Sequence, residues 1–238
     1  MRLRLLRGEG GAVWNMALDE ALLNGVNRGV SPPTLRLYVF SPSAVTIGRF
    51  QRVREVVDLE RAADLGVDVV RRITGGGAVY HDERGEVTYS IVSPISEFPG
   101  SVVDSYRRIC AGLVRALEIM GLSAEFAPIN DVVIGGKKVS GSAQVRRGGA
   151  LLQHGTLMYA TDLDTLASLL RPPREKLRAK GLADVRARVT TVSIELGREV
   201  TRAEVEDAMI RGFSEALGAE VEEGDLLEGE EVEARRLA

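Results

Sequence analysis

Cys110 is the only cysteine in 238 residues. A lone thiol excludes an internal disulfide and a cysteine-built zinc cluster. Lysine is scarce as well. Lys137, Lys138, Lys176 and Lys180 are the only lysines among 31 basic residues, and His81 and His154 are the only imidazoles. No apolar run approaches the ~20 residues that span a bilayer, so no membrane helix is expected. The N-terminus, Met1-Arg-Leu-Arg-Leu-Leu-Arg7, alternates like a strand and does not read as a signal segment. A net charge of −3 offers no footprint for a polyanion, so nucleic acid is not expected as a ligand. A cytoplasmic protein follows from these absences. Where so arginine-rich a chain uses lysine, a compact ammonium is indicated in place of a planar fork.

What is abundant in one place is glycine. Arg72 opens the run Arg-Ile-Thr-Gly-Gly-Gly-Ala-Val-Tyr-His81. Three consecutive glycines are costly in backbone entropy and point to a turn through positive φ or a close approach of backbone to ligand. No Gly-Lys-Ser/Thr closes the loop, and a strand pattern follows it where a dinucleotide fingerprint needs a helix. It reads as a strand–loop–strand element whose N–H groups can form an anion-binding concavity.

Periodicity supplies the frame. Strands are predicted over 2–6, 34–40, 44–47, 67–72 and 150–159. Hairpins are predicted over 78–81 with 86–92, and over 131–134 with 138–145. Helices are predicted over 13–23, 58–65, 102–120, 163–170 and 201–217, the last opened by a Thr201…Glu204 capping box and stopped by Gly218. Cys110 falls on the apolar stripe of the 102–120 helix, as a small hydrophobe. The charged segment 222–238 is left open between a solvated helix and a frayed tail. The fold class is α+β, two-layered, with a mixed sheet.

A second segment gathers scarce residues: Asn130-Asp-Val-Val-Ile-Gly-Gly-Lys-Lys-Val-Ser-Gly-Ser-Ala143, then His154-Gly-Thr156. Lys138 begins a strand beside Ser140, Gly141 and Ser142, and a glycine inside a strand indicates close approach. With Asn15-Met-Ala-Leu-Asp-Glu20, Val45-Thr-Ile-Gly-Arg-Phe-Gln51, the Arg71–Asp82 run, Ala179-Lys-Gly-Leu182 and Val185-Arg-Ala-Arg-Val-Thr190, these blocks resemble the lipoate–protein ligase A family of the biotin/lipoate ligase superfamily. The resemblance covers nearly the whole chain.

The resemblance implies a biotin/lipoate ligase catalytic domain over 1–220 with a charged extension over 221–238. Its central sheet would be largely antiparallel, accompanied by a smaller sheet and flanked by helices. It implies an ATP-dependent lipoate–protein ligase, which activates lipoate to lipoyl-AMP and passes the acyl group to a lysine of a lipoyl domain. Acceptors would be 2-oxoacid dehydrogenase E2 and glycine-cleavage H protein. Lys138 would be catalytic. Arg72 would contact the nucleotide, and Gly75, Gly76, Gly77, Ala78, Val79 and Tyr80 would wall the acyl-adenylate pocket. His81, Asp131, Ser142, His154, Gly155 and Thr156 would complete it. ATP, Mg2+ and lipoate are implied, with Asp131 as the metal-contact candidate.

Octanoyltransferases of the same superfamily carry their acyl group on a cysteine in, or just before, the lysine segment. Here that stretch reads Ala124-Glu-Phe-Ala-Pro-Ile-Asn-Asp131, without one. The transferase and a non-catalytic lipoyl-binding protein therefore stand as alternatives to the ligase. The chain stops soon after the 201–217 helix, which implies a separate small accessory subunit for adenylation.

Overall fold

A computed structural model of the protein describes residues 1–171 and 187–238. The N-terminal alternation becomes strand β1 (Arg2–Gly10), and helix α1 (Ala12–Asn27) follows at once. Strand β2 (Thr34–Phe40) is buried along its length. So are β6 (Glu86–Pro94), apart from its last residue, and β10 (Ala150–Met158). Strands buried on both sides belong at the centre of a sheet covered by helices on each face.

That is their place. The large sheet runs β11-β1-β2-β6-β10-β9-β8-β7, with β7 at Ala124–Ala127, β8 at Asp131–Ile134, β9 at Lys137–Arg147 and β11 at Glu220–Glu223. Its pairings are antiparallel from β2 through β7, while β1 lies parallel to both β2 and β11. A smaller sheet has β3 (Ala44–Ile47) between β4 (Asp68–Arg71), parallel, and β5 (Val79–His81), antiparallel. The mixed, largely antiparallel architecture with a second sheet is thus the one expected.

One expected pairing is absent. The segments 78–81 and 86–92 do not form a hairpin: β5 pairs with β3 in the small sheet, and β6 pairs with β2 and β10 in the large one. The turn between them is held elsewhere. The Gly85 carbonyl accepts from the amides of Tyr159 and Ala160, and Asp82 accepts from the amide of Asp162. The chain therefore changes sheets at this turn.

On one face of the large sheet lie α2 (Val102–Ile119) and the helix Arg202–Leu217, each opened by a capping box, Ser101 with Asp104 and Thr201 with Glu204. The two helices cross at Gly112 and Gly212, where a methyl on Gly212 would lie 2.6 Å from the Ala116 nitrogen. Gly212→Val is expected to cost about 1–3 kcal/mol through overpacking. A urea titration should show it as a lower midpoint at unchanged slope.

The opposite face carries α1 and the helix Glu228–Leu237, whose Ala234 is buried with Leu22, Leu23 and Leu152. The charged tail is therefore a packed helix. Arg4 and Glu230 tie it down at 2.7 Å, with both side chains largely shielded from water. Residues 179–182, matched to a later family block, lie outside the described residues, as do 185 and 186. Among the described residues no helix is long and apolar enough to cross a membrane.

Candidate active site

The glycine loop leaves β4 and crosses in front of β9 and β10, and a cleft opens between them. Arg72, Gly76, Gly77, Ala78, Val79 and His81 line it from the loop side. Lys138, Ser142, His154, Gly155 and Thr156 line it from the sheet. Two segments far apart in sequence thus meet as expected. Gly75, Tyr80 and Asp131 are not on the wall: Tyr80 is buried in the cluster behind the small sheet. Met16, Tyr38, Thr46 and Thr88 line the cleft without having been singled out as site residues. Met16 and Thr46 lie in the quoted blocks at 15–20 and 45–51, which was the available signal; Tyr38 and Thr88 carried none.

Two glycines are required by shape. Gly76 has φ +91°, and a methyl there would lie 2.9 Å from Arg72 Nη2. Gly141 faces the stem of Lys138, with a methyl 2.6 Å from Lys138 Cε. The missing Cβ lets the lysine lie flat along its own strand. Lys138 Nζ is 2.7 Å from Asp131 Oδ1, across a register shift between β8 and β9, and the ammonium stays partly exposed to the cleft. Asp131 is therefore committed to Lys138. Among the described residues no group of three His, Cys, Asp or Glu side chains converges as metal ligands. In this arrangement Asp131 anchors the lysine.

Arg72 is buried, and its guanidinium is fully engaged inside the protein. Nε donates to Thr74 Oγ1 at 3.0 Å. Nη1 donates to the Thr46 carbonyl at 3.2 Å and to Thr46 Oγ1 at 3.1 Å. Nη2 donates to the carbonyls of Gly75 and Gly77, both at 2.7 Å. A guanidinium has five N–H groups, and these bonds use all of them. In this arrangement Arg72 staples the glycine loop, and no donor is left for the phosphate that the resemblance assigned to it. Burial lowers its pKa to about 10.

Both histidines are equally engaged. His154 Nδ1 lies 2.9 Å from Asp19 Oδ2, and its Nε2 lies 2.7 Å from Thr74 Oγ1. His81 Nδ1 lies 2.8 Å from Glu86 Oε2, and its Nε2 lies 3.0 Å from Thr46 Oγ1. Burial lowers the His154 pKa against the opposing pull of Asp19.

Cys110 sits behind this wall. It is fully buried, with Sγ 3.6 Å from Ser142 Oγ and 3.7 Å from Gln153 Nε2. Burial pushes the thiol up to about 11, so it stays protonated and weakly nucleophilic.

A model of the lipoyl protein ligase A/B catalytic domain matches residues 12–214. The chain is 40% identical to octanoyltransferase LipM of Kyrpidia tusciae over 98% of its own length and 94% of the relative's. It is 38% identical to octanoyltransferase LipM of Symbiobacterium thermophilum, over 94% of this chain and 89% of the relative. Among solved structures it resembles a bipartite lipoate protein ligase system with an E2 lipoyl domain from Thermoplasma acidophilum. That match has TM-score 0.89 and 38% identity and covers 100% of this chain and 92% of the other.

These relatives overturn the expected ATP-dependent lipoate ligation. Proteins that match this chain almost end to end are named for octanoyl transfer. The 124–131 stretch lacks a cysteine, and that absence does not make the ligase the better reading. What stands is lipoate-related protein modification, on the fold that ligases and transferases share. By the extent of the match over residues 12–214, the chain belongs to the lipoyl protein ligase A/B catalytic-domain family.

Proposed function

We propose that this protein transfers an octanoyl group from a thioester carrier to the ε-amine of a lysine on an acceptor lipoyl domain. The observation that carries the reading is the near end-to-end similarity to octanoyltransferases, 40% identical over 98% of the chain. The cleft supports it chemically. Bare backbone at Gly76 and Gly77, with Ala78, Val79 and Met16, offers an apolar wall for a medium-length acyl chain. Lys138 supplies the one ammonium on that wall among the described residues. The E2 lipoyl domain of the Thermoplasma acidophilum system suggests the acceptor, and glycine-cleavage H protein is a second candidate of the same type.

The acceptor amine, in its neutral form, attacks the thioester carbonyl carbon. A C–N bond forms and negative charge develops on the carbonyl oxygen, where the Lys138 ammonium stabilises it. The C–S bond then breaks, and the proton lost by the amine ends on the leaving thiolate. The substrate arrives activated, so this transfer consumes no ATP and needs neither magnesium nor a subunit dedicated to adenylation. With its thiol buried and held protonated, Cys110 does not carry the acyl group, and transfer is direct.

The test is to mix the protein with an octanoyl-loaded carrier protein and a lipoyl domain, without ATP, and weigh the acceptor. The expected result is one octanoyl addition per acceptor. Modification that appears only with free acid and ATP would overturn the reading. Cys110→Ala is expected to transfer at the wild-type rate, and no acyl-protein adduct should appear in the quenched enzyme. A stable adduct lost in the alanine variant would replace direct transfer with a covalent route.

A further inference from the structure

Among the described residues Arg72 is a buried cation without a carboxylate in contact. Its five donors end on three carbonyls and two hydroxyls. Each of those hydroxyls, Thr74 Oγ1 and Thr46 Oγ1, also touches an imidazole Nε2, at 2.7 and 3.0 Å. Each imidazole in turn meets a buried carboxylate through Nδ1, His154 with Asp19 and His81 with Glu86. The chain's only two histidines therefore occupy equivalent places in two parallel chains of hydrogen bonds, and both chains end on one guanidinium.

The donor directions follow from the carboxylates. An ionised carboxylate only accepts, so the Nδ1 facing it carries a proton, and in that neutral tautomer Nε2 accepts from the threonine hydroxyl. The imidazole then carries its proton on Nδ1 and donates to the carboxylate. Hydrogen bonds aligned head to tail polarise one another. Among the described residues no arginine or lysine lies at ion-pair distance from Glu86, which meets the His81 imidazole instead. Its charge is thus relayed toward Arg72 through two side chains.

We propose that Thr46–His81–Glu86 and Thr74–His154–Asp19 are positioning relays. They fix the Arg72 guanidinium on the Gly75 and Gly77 carbonyls and thereby set the shape of the acyl-binding loop. The relays come from both sheets, since Thr46 and His81 lie on β3 and β5 while Glu86 and His154 lie on β6 and β10. They fasten the small sheet's loop to the large sheet at its one charged point. The kinetic part of this inference rests on the octanoyl-transfer reading; the structural part does not.

The test uses Thr46→Val and Thr74→Val, which keep shape and lose the hydroxyl, beside Thr46→Ser and Thr74→Ser, which restore it. Hydrogen exchange at the amides of residues 75–78 is the readout independent of activity. The valine variants are expected to exchange faster there, with protection elsewhere unchanged, and the serine variants to return toward wild type. In the transfer assay each valine variant should raise KM for the octanoyl donor about tenfold, as loss of a hydrogen bond to a charged group predicts, while kcat and the KM for acceptor change little. In an Arg72→Met background neither valine should add to the exchange rate or to KM. Unchanged loop exchange in the valine variants would overturn the proposal, as would valine effects that persist without Arg72. If loop exchange responds as expected but no variant or parent transfers octanoate, the relays stand and the reaction assignment falls.

Discussion

Lys138→Ala is expected to lower octanoyl transfer by about 10²–10³-fold, the scale on which a single oxyanion-stabilising donor contributes. The effect should fall on kcat, because the ammonium meets its full countercharge only as the carbonyl oxygen becomes anionic. The fold should be unaffected. Lys138 is partly exposed, and its ion pair with Asp131 is of the half-solvated kind that contributes about 0–1 kcal/mol. Lys138→Arg should not rescue the loss. The lysine stem lies against Gly141, with no room for a methyl beneath it, and a planar fork in that channel would carry its charge past the reacting oxygen. Initial rates with octanoyl carrier, alongside urea melts, separate the two effects. An alanine variant with full activity would remove Lys138 from the chemistry.

Asp19→Ala is expected to cost about 3–5 kcal/mol of stability, as when one member of a buried ion pair is removed. Asp19 lies on α1 yet is buried, and four side chains converge on it. Arg36 Nη1 donates at 3.0 Å, Tyr38 Oη at 2.8 Å, Ser90 Oγ at 3.0 Å, and His154 Nδ1 lies at 2.9 Å. Without the carboxylate the Arg36 charge is left in the core. Burial alone would raise the Asp19 pKa. The His154 hydrogen bond, the Arg36 charge and the Tyr38 hydroxyl together bring it below the ordinary value. A carboxyl depressed in the folded state contributes stability that is fully present above its unfolded pKa, about 3.9, and is lost as pH falls through the lower folded value. Wild-type protein should therefore lose part of its stability in that acid window. The alanine variant, already lower at neutral pH, should lack this component. Denaturation midpoints measured from pH 7 to pH 3 test both statements.

The parts of this molecule that could be read from residue order are those whose cause is local. The glycine triplet and the Lys138 segment announce themselves by costly or scarce residues, and both arrive at one cleft. The capping box at Thr201 and the stripe of α2 follow from spacing of three and four residues. The partner of β5 could not be read this way. Alternation marks 78–81 and 86–92 as strands, but their separation into two sheets depends on bonds to Tyr159, Ala160 and Asp162, some eighty residues away. Asp19 was legible only as part of a motif, because a carboxylate in a helix reads as solvated until Arg36 and Tyr38 are placed beneath it. Arg72 lines the cleft, but its demand for five acceptors is met by threonines and carbonyls that no spacing rule connects. The reaction was the least legible. A loop that cradles an acyl group has the same needs whether the acyl arrives as an adenylate or as a thioester.

The parallel pairing of β1 with β11 has a consequence for biogenesis. Arg2 to Leu5 align with Glu220 to Glu223, and the amino terminus donates to the Gly218 carbonyl at 3.3 Å. β1 is thus completed on this side by a strand synthesised long after it. Until then one side of β1 presents unpaired amides and carbonyls, the kind of edge on which chains associate wrongly. Arginines at 2, 4 and 7, which later meet Glu220, Glu230 and Glu223, leave that waiting edge positively charged. The same residues that close the finished sheet thereby keep nascent copies apart.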